Sequence, residues 1–202
     1  MKMQIYRMWM TLTLVMLAAG LAGAAENVYQ VGSGQPYTTI QSALDAARTN
    51  NAATDTQIVR IMDSSGSYTN EDLVLTGTWQ TRKLVLEADA GQTPTLYRIY
   101  LAQTIAEVTL KGLKFRSPKA SATVNGGVQI MQSSMGASKP VTITNCTFEQ
   151  TGNIAGAGWV NGVYLQSTTV NTYGKVTVAG CTFDMTAGST SLQSAGVVIH
   201  PG

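Results

Sequence analysis

Three eight-residue segments of this chain superimpose without a gap, and they limit its fold more than any other feature. They are Val108-Thr109-Leu110-Lys111-Gly112-Leu113-Lys114-Phe115, Val141-Thr142-Ile143-Thr144-Asn145-Cys146-Thr147-Phe148 and Val176-Thr177-Val178-Ala179-Gly180-Cys181-Thr182-Phe183. Their starts lie 33 and 35 residues apart. A shorter motif follows each one: Gly127-Val128-Gln129-Ile130, Gly162-Val163-Tyr164-Leu165 and Gly196-Val197-Val198-Ile199. Self-similarity at a period of tens of residues marks a stacked repeat architecture.

Within the eight-residue unit, Val, then Leu, Ile or Val, then Leu or Cys, then Phe fall on one face, with polar or small residues between them. Alternation of period two is the mark of a β-strand. It breaks once, at a position held by Gly112, Asn145 and Gly180, residue types that tolerate a positive φ. The unit therefore reads as two short strands joined by a tight left-handed bend, and the Gly-Val-x-Ile motif adds a third strand. Such a triplet cannot bury its apolar side alone, whereas stacking successive triplets builds a continuous core. The expected fold is all-β, a right-handed parallel β-helix. Stacking predicts columns of equivalent residues: Phe115, Phe148 and Phe183 in the core with Val108, Val141 and Val176, and Thr109, Thr142 and Thr177 outside.

Earlier segments follow the same plan less regularly. Ile58 to Ile61, Asp72 to Leu75, Leu84 to Leu86 and Ile99 to Leu101 are short β-like runs, the last read as opening the repeat that Val108 to Phe115 completes. Before them, residues 39–48 place Ile40, Ala43, Leu44 and Ala47 at helical spacing behind a Thr. A short amphipathic helix there would close the open N-terminal end of the solenoid. The organisation expected is a signal peptide over 1–24, a cap over 25–57 and β-helix repeats over 58–202. Because the sequence stops just after a strand that begins a new turn, a chain truncated before its final repeats and C-terminal cap is the expectation.

Val31-Gly32-Ser33-Gly34 leading into Tyr37-Thr38-Thr39-Ile40-Gln41-Ser42-Ala43-Leu44-Asp45-Ala46-Ala47 resembles the N-terminal cap of pectin-lyase-like proteins. The Gly-Val-x-Leu, Val-Thr-Ile and Asn-Cys-Thr-Phe cadence is similar to their β-helix repeats. The resemblance covers most of the chain after the signal segment. It implies a fold superfamily that includes lyases, hydrolases, esterases and non-enzymatic surface proteins. The Gln-Asp-Thr and Val-Asp-Phe-Ile-Phe-Gly elements of pectin methylesterases, the Asn-Thr-Asp, Asp-Asp and Gly-His-Gly elements of polygalacturonases and the acidic calcium cluster of pectate lyases do not occur. No catalytic residue carries over by motif, and whether the chain is an enzyme stays open.

Lys2 and Arg7 precede an apolar run from Met8 to Leu21 that ends in small residues, the layout of a secretory signal peptide, with cleavage expected after Ala24 or Ala25. The run is short for a bilayer span, and no membrane span is expected after cleavage. Export to the periplasm, the cell surface or the medium follows. Cleavage removes two of the 13 basic residues and none of the 11 acidic ones, leaving 11 against 11. A chain so balanced lacks the basic stripe that nucleic acid requires. Polysaccharide or a cell-surface glycan is the expected partner and a monomer the expected state.

Four groups of residues could carry chemistry. Arg116, Glu149 and Asp184 follow the core Phe in successive repeats. Two stacked carboxylates at 149 and 184 could raise one another's pKa for general acid work or bind calcium, while the plainer reading is a solvated column with Arg116 beside Glu149. Trp159 and the outward Tyr164, with Gln129 in the neighbouring repeat, have the aromatic and amide groups that suit a sugar ring; packing of Trp159 onto the repeat exterior is the alternative. Cys146 and Cys181 take the inward position of Leu113 and read as small core hydrophobes. Their stacked separation also falls inside disulfide range, although directly stacked Cβ atoms strain such a bond. His200 is the sole histidine, so no His-based metal cluster can form. Two functions remain open: a polysaccharide-binding or polysaccharide-processing secreted protein, and a non-enzymatic surface or adhesion solenoid.

Overall fold

A computed structural model describes residues 26–50, 56–65, 68–77, 83–103, 107–117, 127–131, 140–150, 159–166, 175–185 and 193–200. The signal segment lies outside them. In chain order the strands are β1 (Glu26–Val31), β2 (Thr56–Ile61), β3 (Asp72–Gly77), β4 (Lys83–Ala88), β5 (Thr95–Leu96), β6 (Arg98–Gln103), β7 (Val108–Lys111) and β8 (Lys114–Ser117). They continue as β9 (Val128–Met131), β10 (Val141–Thr144), β11 (Thr147–Gln150), β12 (Trp159–Gln166), β13 (Val176–Ala179), β14 (Thr182–Met185) and β15 (Gln193–His200). A helix, α1 (Ile40–Thr49), follows β1. Among the described residues no helix is long and apolar enough to cross a membrane.

The strands form three sheets, with orders β1-β2-β4-β7-β10-β13, β5-β8-β11-β14 and β3-β6-β9-β12-β15, and every pairing is parallel. From β4 onward the chain visits the first, second and third sheets in rotation, and each strand pairs with its equivalent one repeat later. Parallel neighbours need a crossover between them. Here the other two sheets supply it, an arrangement consistent with a parallel β-helix. In the first repeat a 3₁₀ turn, Tyr68–Asn70, stands where later repeats have a second-sheet strand, and packs on β5. The run 99–101 opens the repeat that Val108 to Phe115 completes, since Ile99 is in register with Val128 of the Gly-Val-x-Ile motif and β7 and β8 follow it.

The columns are in register. Val141 pairs with both Val108 and Val176, and Phe148 with both Phe115 and Phe183. The Phe rings stack at 5.2 Å and 4.9 Å between centroids, tilted by 11° and 6°. Between β7 and β8, and at the two equivalent bends, Gly112, Asn145 and Gly180 have φ of 68°, 53° and 62°. The single break in the alternation is therefore a left-handed bend that turns the chain from the first sheet to the second. The glycine that opens the shorter motif has a different cause. A Cβ on Gly162 would sit 2.6 Å from Cε1 of Phe183 and 2.7 Å from the Gly196 carbonyl, and one on Gly127 would sit 2.9 Å from Phe115 Cβ. The column is glycine because the Phe column occupies the space a side chain would need.

The N-terminal end is closed by α1. Its apolar face, Ile40, Ala43, Leu44 and Ala47, is buried against the core. Thr39 is the N-cap, its hydroxyl accepting from Ser42 N, so the helix begins one residue after the 39–48 window. The Glu71 carboxylate accepts from the backbone N–H groups of Ile40 and Gln41, two donors the helix itself cannot satisfy. The Gln41 amide lies along the outer edge of β3: Val74 N donates to Oε1 at 3.1 Å and Nε2 donates to Val74 O at 3.5 Å. One side chain thus occupies the strand edge as another strand would.

Candidate functional site

Two outward surfaces hold the residues singled out by the sequence. On the second sheet, Glu149 is in register with Arg116 on one side and Asp184 on the other, so the column forms as read. Its chemistry differs from a carboxylate dyad. Lys114 Nζ lies 2.6 Å from Glu149 Oε1, and Arg116 Nη2 donates to Oε2 at 3.3 Å. The hydrogen bond from Lys114 is the main cause that holds Glu149 below its ordinary pKa; Arg116 adds to it, and partial burial works in the opposite direction. A carboxylate so held is a poor proton donor near neutral pH. The plainer reading of the column, Arg116 beside Glu149, thus gains Lys114 as a second cation from the preceding repeat. Lys114 escapes a reading confined to the position after Phe, although residues two apart on one strand share a face. Among the described residues no three His, Cys, Asp or Glu side chains gather where a metal ion could sit, so the structure lends calcium no cluster there.

The third sheet carries the second surface. Gln129 of β9 is in register with Tyr164 of β12 and with Tyr100 of β6, giving one outward row. Tyr100 enters this row unforeseen, because the Ile99-Tyr100-Leu101 run lacks the leading glycine of its equivalents. Strand parity places Tyr164 on the outer side, as Val163 and Leu165 occupy the core. Even so, Tyr164 is only 8% exposed and Gln129 7%, while Tyr100 is half-buried. Pointing away from the core does not make a side chain open: the outward Tyr164 expected to face solvent is covered. Trp159 opens β12 in register with Gln193; its side chain, and the 151–158 segment before it, lie outside the described residues.

Both cysteines are free thiols. Cys146 is buried at 1% exposure, and burial pushes its thiol up to about 12, which leaves little of the nucleophilic thiolate at neutral pH. Its Sγ donates to Thr144 O at 3.4 Å, and the Sγ of Cys181 donates to Ala179 O at 3.5 Å. Each Sγ also reaches a carbonyl of the preceding repeat, Leu110 O at 3.9 Å from Cys146 and Ile143 O at 3.6 Å from Cys181. The stacked pair occupies the core position shared with Leu113, as small hydrophobes would.

Elsewhere the exterior is laced by ion pairs that join successive repeats. Arg60 Nη2 and Lys111 Nζ lie 2.8 Å and 3.4 Å from the Glu87 carboxylate, Lys83 pairs with Glu107 at 3.0 Å, and Arg98 makes a two-point contact with Asp72. Comparison of the chain with protein-family models, with curated proteins and with solved structures finds no match.

Proposed function

We propose that this chain is a secreted, right-handed parallel β-helix of the pectin-lyase-like kind that binds polysaccharide on the outer face of its third sheet. The observation that carries the reading is the row Tyr100, Gln129 and Tyr164 on three successive parallel strands. A phenol combines an apolar ring face with a hydrogen-bonding hydroxyl, the pairing a sugar presents in return, and in this row the half-buried Tyr100 is the one open to a ligand, since Gln129 and Tyr164 are covered. Gln129 and Tyr164 back Tyr100 from the two following strands. The fold and the cap sequence support the superfamily; the apolar segment behind Lys2 and Arg7 supports secretion. Binding without bond cleavage is the form favoured, because Glu149 is held as a carboxylate by Lys114 and Arg116.

Affinity electrophoresis on gels containing pectin, xylan and related glycans tests this. Retardation by at least one glycan is expected, with Tyr100→Ala weakening it by roughly 2–10-fold, the range of a single aromatic contact. Equal migration on every gel removes the binding reading. The rigid surface solenoid then stands, favoured by the ion pairs that tie each repeat to the next.

A further inference from the structure

The third sheet differs from the second in charge. Its described strands, β3, β6, β9, β12 and β15, hold a single acidic side chain, Asp72, a single basic one, Arg98, and one histidine. The two charges lie in register on β3 and β6, where Arg98 Nε and Nη2 both donate to the Asp72 carboxylate. Of the pair, the Arg98 side chain is 16% exposed and that of Asp72 45%, so the anion faces solvent more than the cation does. On the second sheet, by contrast, Lys114 and Arg116 converge on one carboxylate, Glu149.

This pair flanks Tyr100. Arg98 and Tyr100 share the outer side of β6, because Ile99 and Leu101 occupy the core. The same parity turns Asp72 and Val74 outward on β3, where Leu73 and Leu75 are buried. Val74 is in register with Tyr100 and 37% exposed. The open part of the face is therefore an apolar platform, Val74 and Tyr100, with the Asp72–Arg98 pair along one side. On α1, whose Gln41 lies along β3, Asp45 pairs in turn with Arg48.

A sugar ring lays its C–H face on such a platform, and its hydroxyls donate to a neighbouring carboxylate. Asp72 can accept them, since a carboxylate offers about four lone-pair sites and Arg98 uses two. A uronate or sulfate group requires a cation instead. The one cation of these strands is already neutralised, and drawing it away would set the exposed Asp72 carboxylate against the ligand's own charge. We propose that this face takes a neutral glycan, an uncharged pyranose stacked on Tyr100 and Val74 whose hydroxyls bond to Asp72. The assignment rests on the glycan-binding reading above and adds to it a substrate class and two residues, Val74 and Asp72.

Affinity electrophoresis of the purified chain through gels of unsubstituted xylan, galactan or glucan, of polygalacturonate, and of no glycan decides it. At least one neutral glycan should retard the wild-type chain, equally at low and high salt, while polygalacturonate should let it pass. Val74→Ala should weaken the neutral retardation by about two- to fivefold through lost apolar contact. Asp72→Asn leaves Arg98 without its counter-charge, so this variant should gain retardation by polygalacturonate, and adding Arg98→Gln should abolish the gain. Wild-type retardation by polygalacturonate as strong as by the neutral gels overturns the neutral class and leaves glycan binding at Tyr100 standing. An Asp72→Asn chain that still passes freely through polygalacturonate also overturns the inference. Free passage of the wild-type chain through every gel removes the binding reading itself, and this inference with it.

Discussion

Glu149 lies between two cations that both belong to the preceding repeat, and this gives it a stabilising role that depends on pH. Its folded-state pKa is depressed, with Lys114 the first cause, so the stabilisation is complete above the ordinary carboxylate pKa of the unfolded chain and is lost as pH falls through the lower folded value. Glu149→Gln should therefore cost about 0.5–1 kcal/mol at pH 7, the upper range for a partly exposed pair, and nothing once the wild-type carboxylate is protonated. Denaturant titrations of both proteins between pH 7 and 2 check this: the two stability curves should converge on the acid side. The cysteines make a second residue-level case. With Cys146 buried and its thiol pushed up to about 12, iodoacetamide at pH 8 should leave it unmodified in the folded chain, while the half-buried Cys181 reacts first. Peptide mass mapping before and after unfolding reads the difference. Equal labelling of both thiols in the folded chain would show that the inner column opens readily.

Among the elements, the glycine that begins each third-sheet motif and the Phe that ends each second-sheet strand form one packing unit. Adding a methyl at Gly162 brings it within 2.7 Å of both the Phe183 ring and a backbone carbonyl, and the carbonyl cannot swing away. Gly162→Ala should destabilise by about 1–3 kcal/mol through overpacking, measured as a lowered denaturation midpoint with an unchanged slope. In the double variant with Phe183→Leu, part of that cost should return, because the ring is one of the two obstacles. These units also show what a sequence can reveal. Alternation and the Gly, Asn, Gly bend were legible because local sterics produce them, and register followed from residues repeated column by column. β1 and the two-residue β5 were not legible, since neither has enough alternation to stand out from a loop. The Lys114 contact was missed because it runs diagonally from one strand to a residue on the next. The covering of Tyr164 and Gln129 was hidden for a different reason: strand parity says which way a side chain points, not what lies over it.

At the scale of the whole molecule, a stack in which each repeat touches only its neighbours should vary in stability along its axis. Val108, Val141 and Val176 offer a clean probe, because they occupy one column, in one sheet, with one residue type and an unbroken register. The first two are buried at 1% and 0% exposure, whereas Val176, in the last described repeat, is only partly buried. Replacement by alanine should cost about 2 kcal/mol at positions 108 and 141, the loss of buried methyl groups plus the cavity they leave, and less than about half of that at 176. Chemical denaturation of the three variants beside the wild-type chain reads the difference. The gradient follows the burial of the column: α1 and Gln41 make the first repeats as dry as the middle, whereas Val176 is only partly buried. A cost at Val176 equal to that at Val141 would show instead that the column is equally dry at both positions, and that burial does not fall along it.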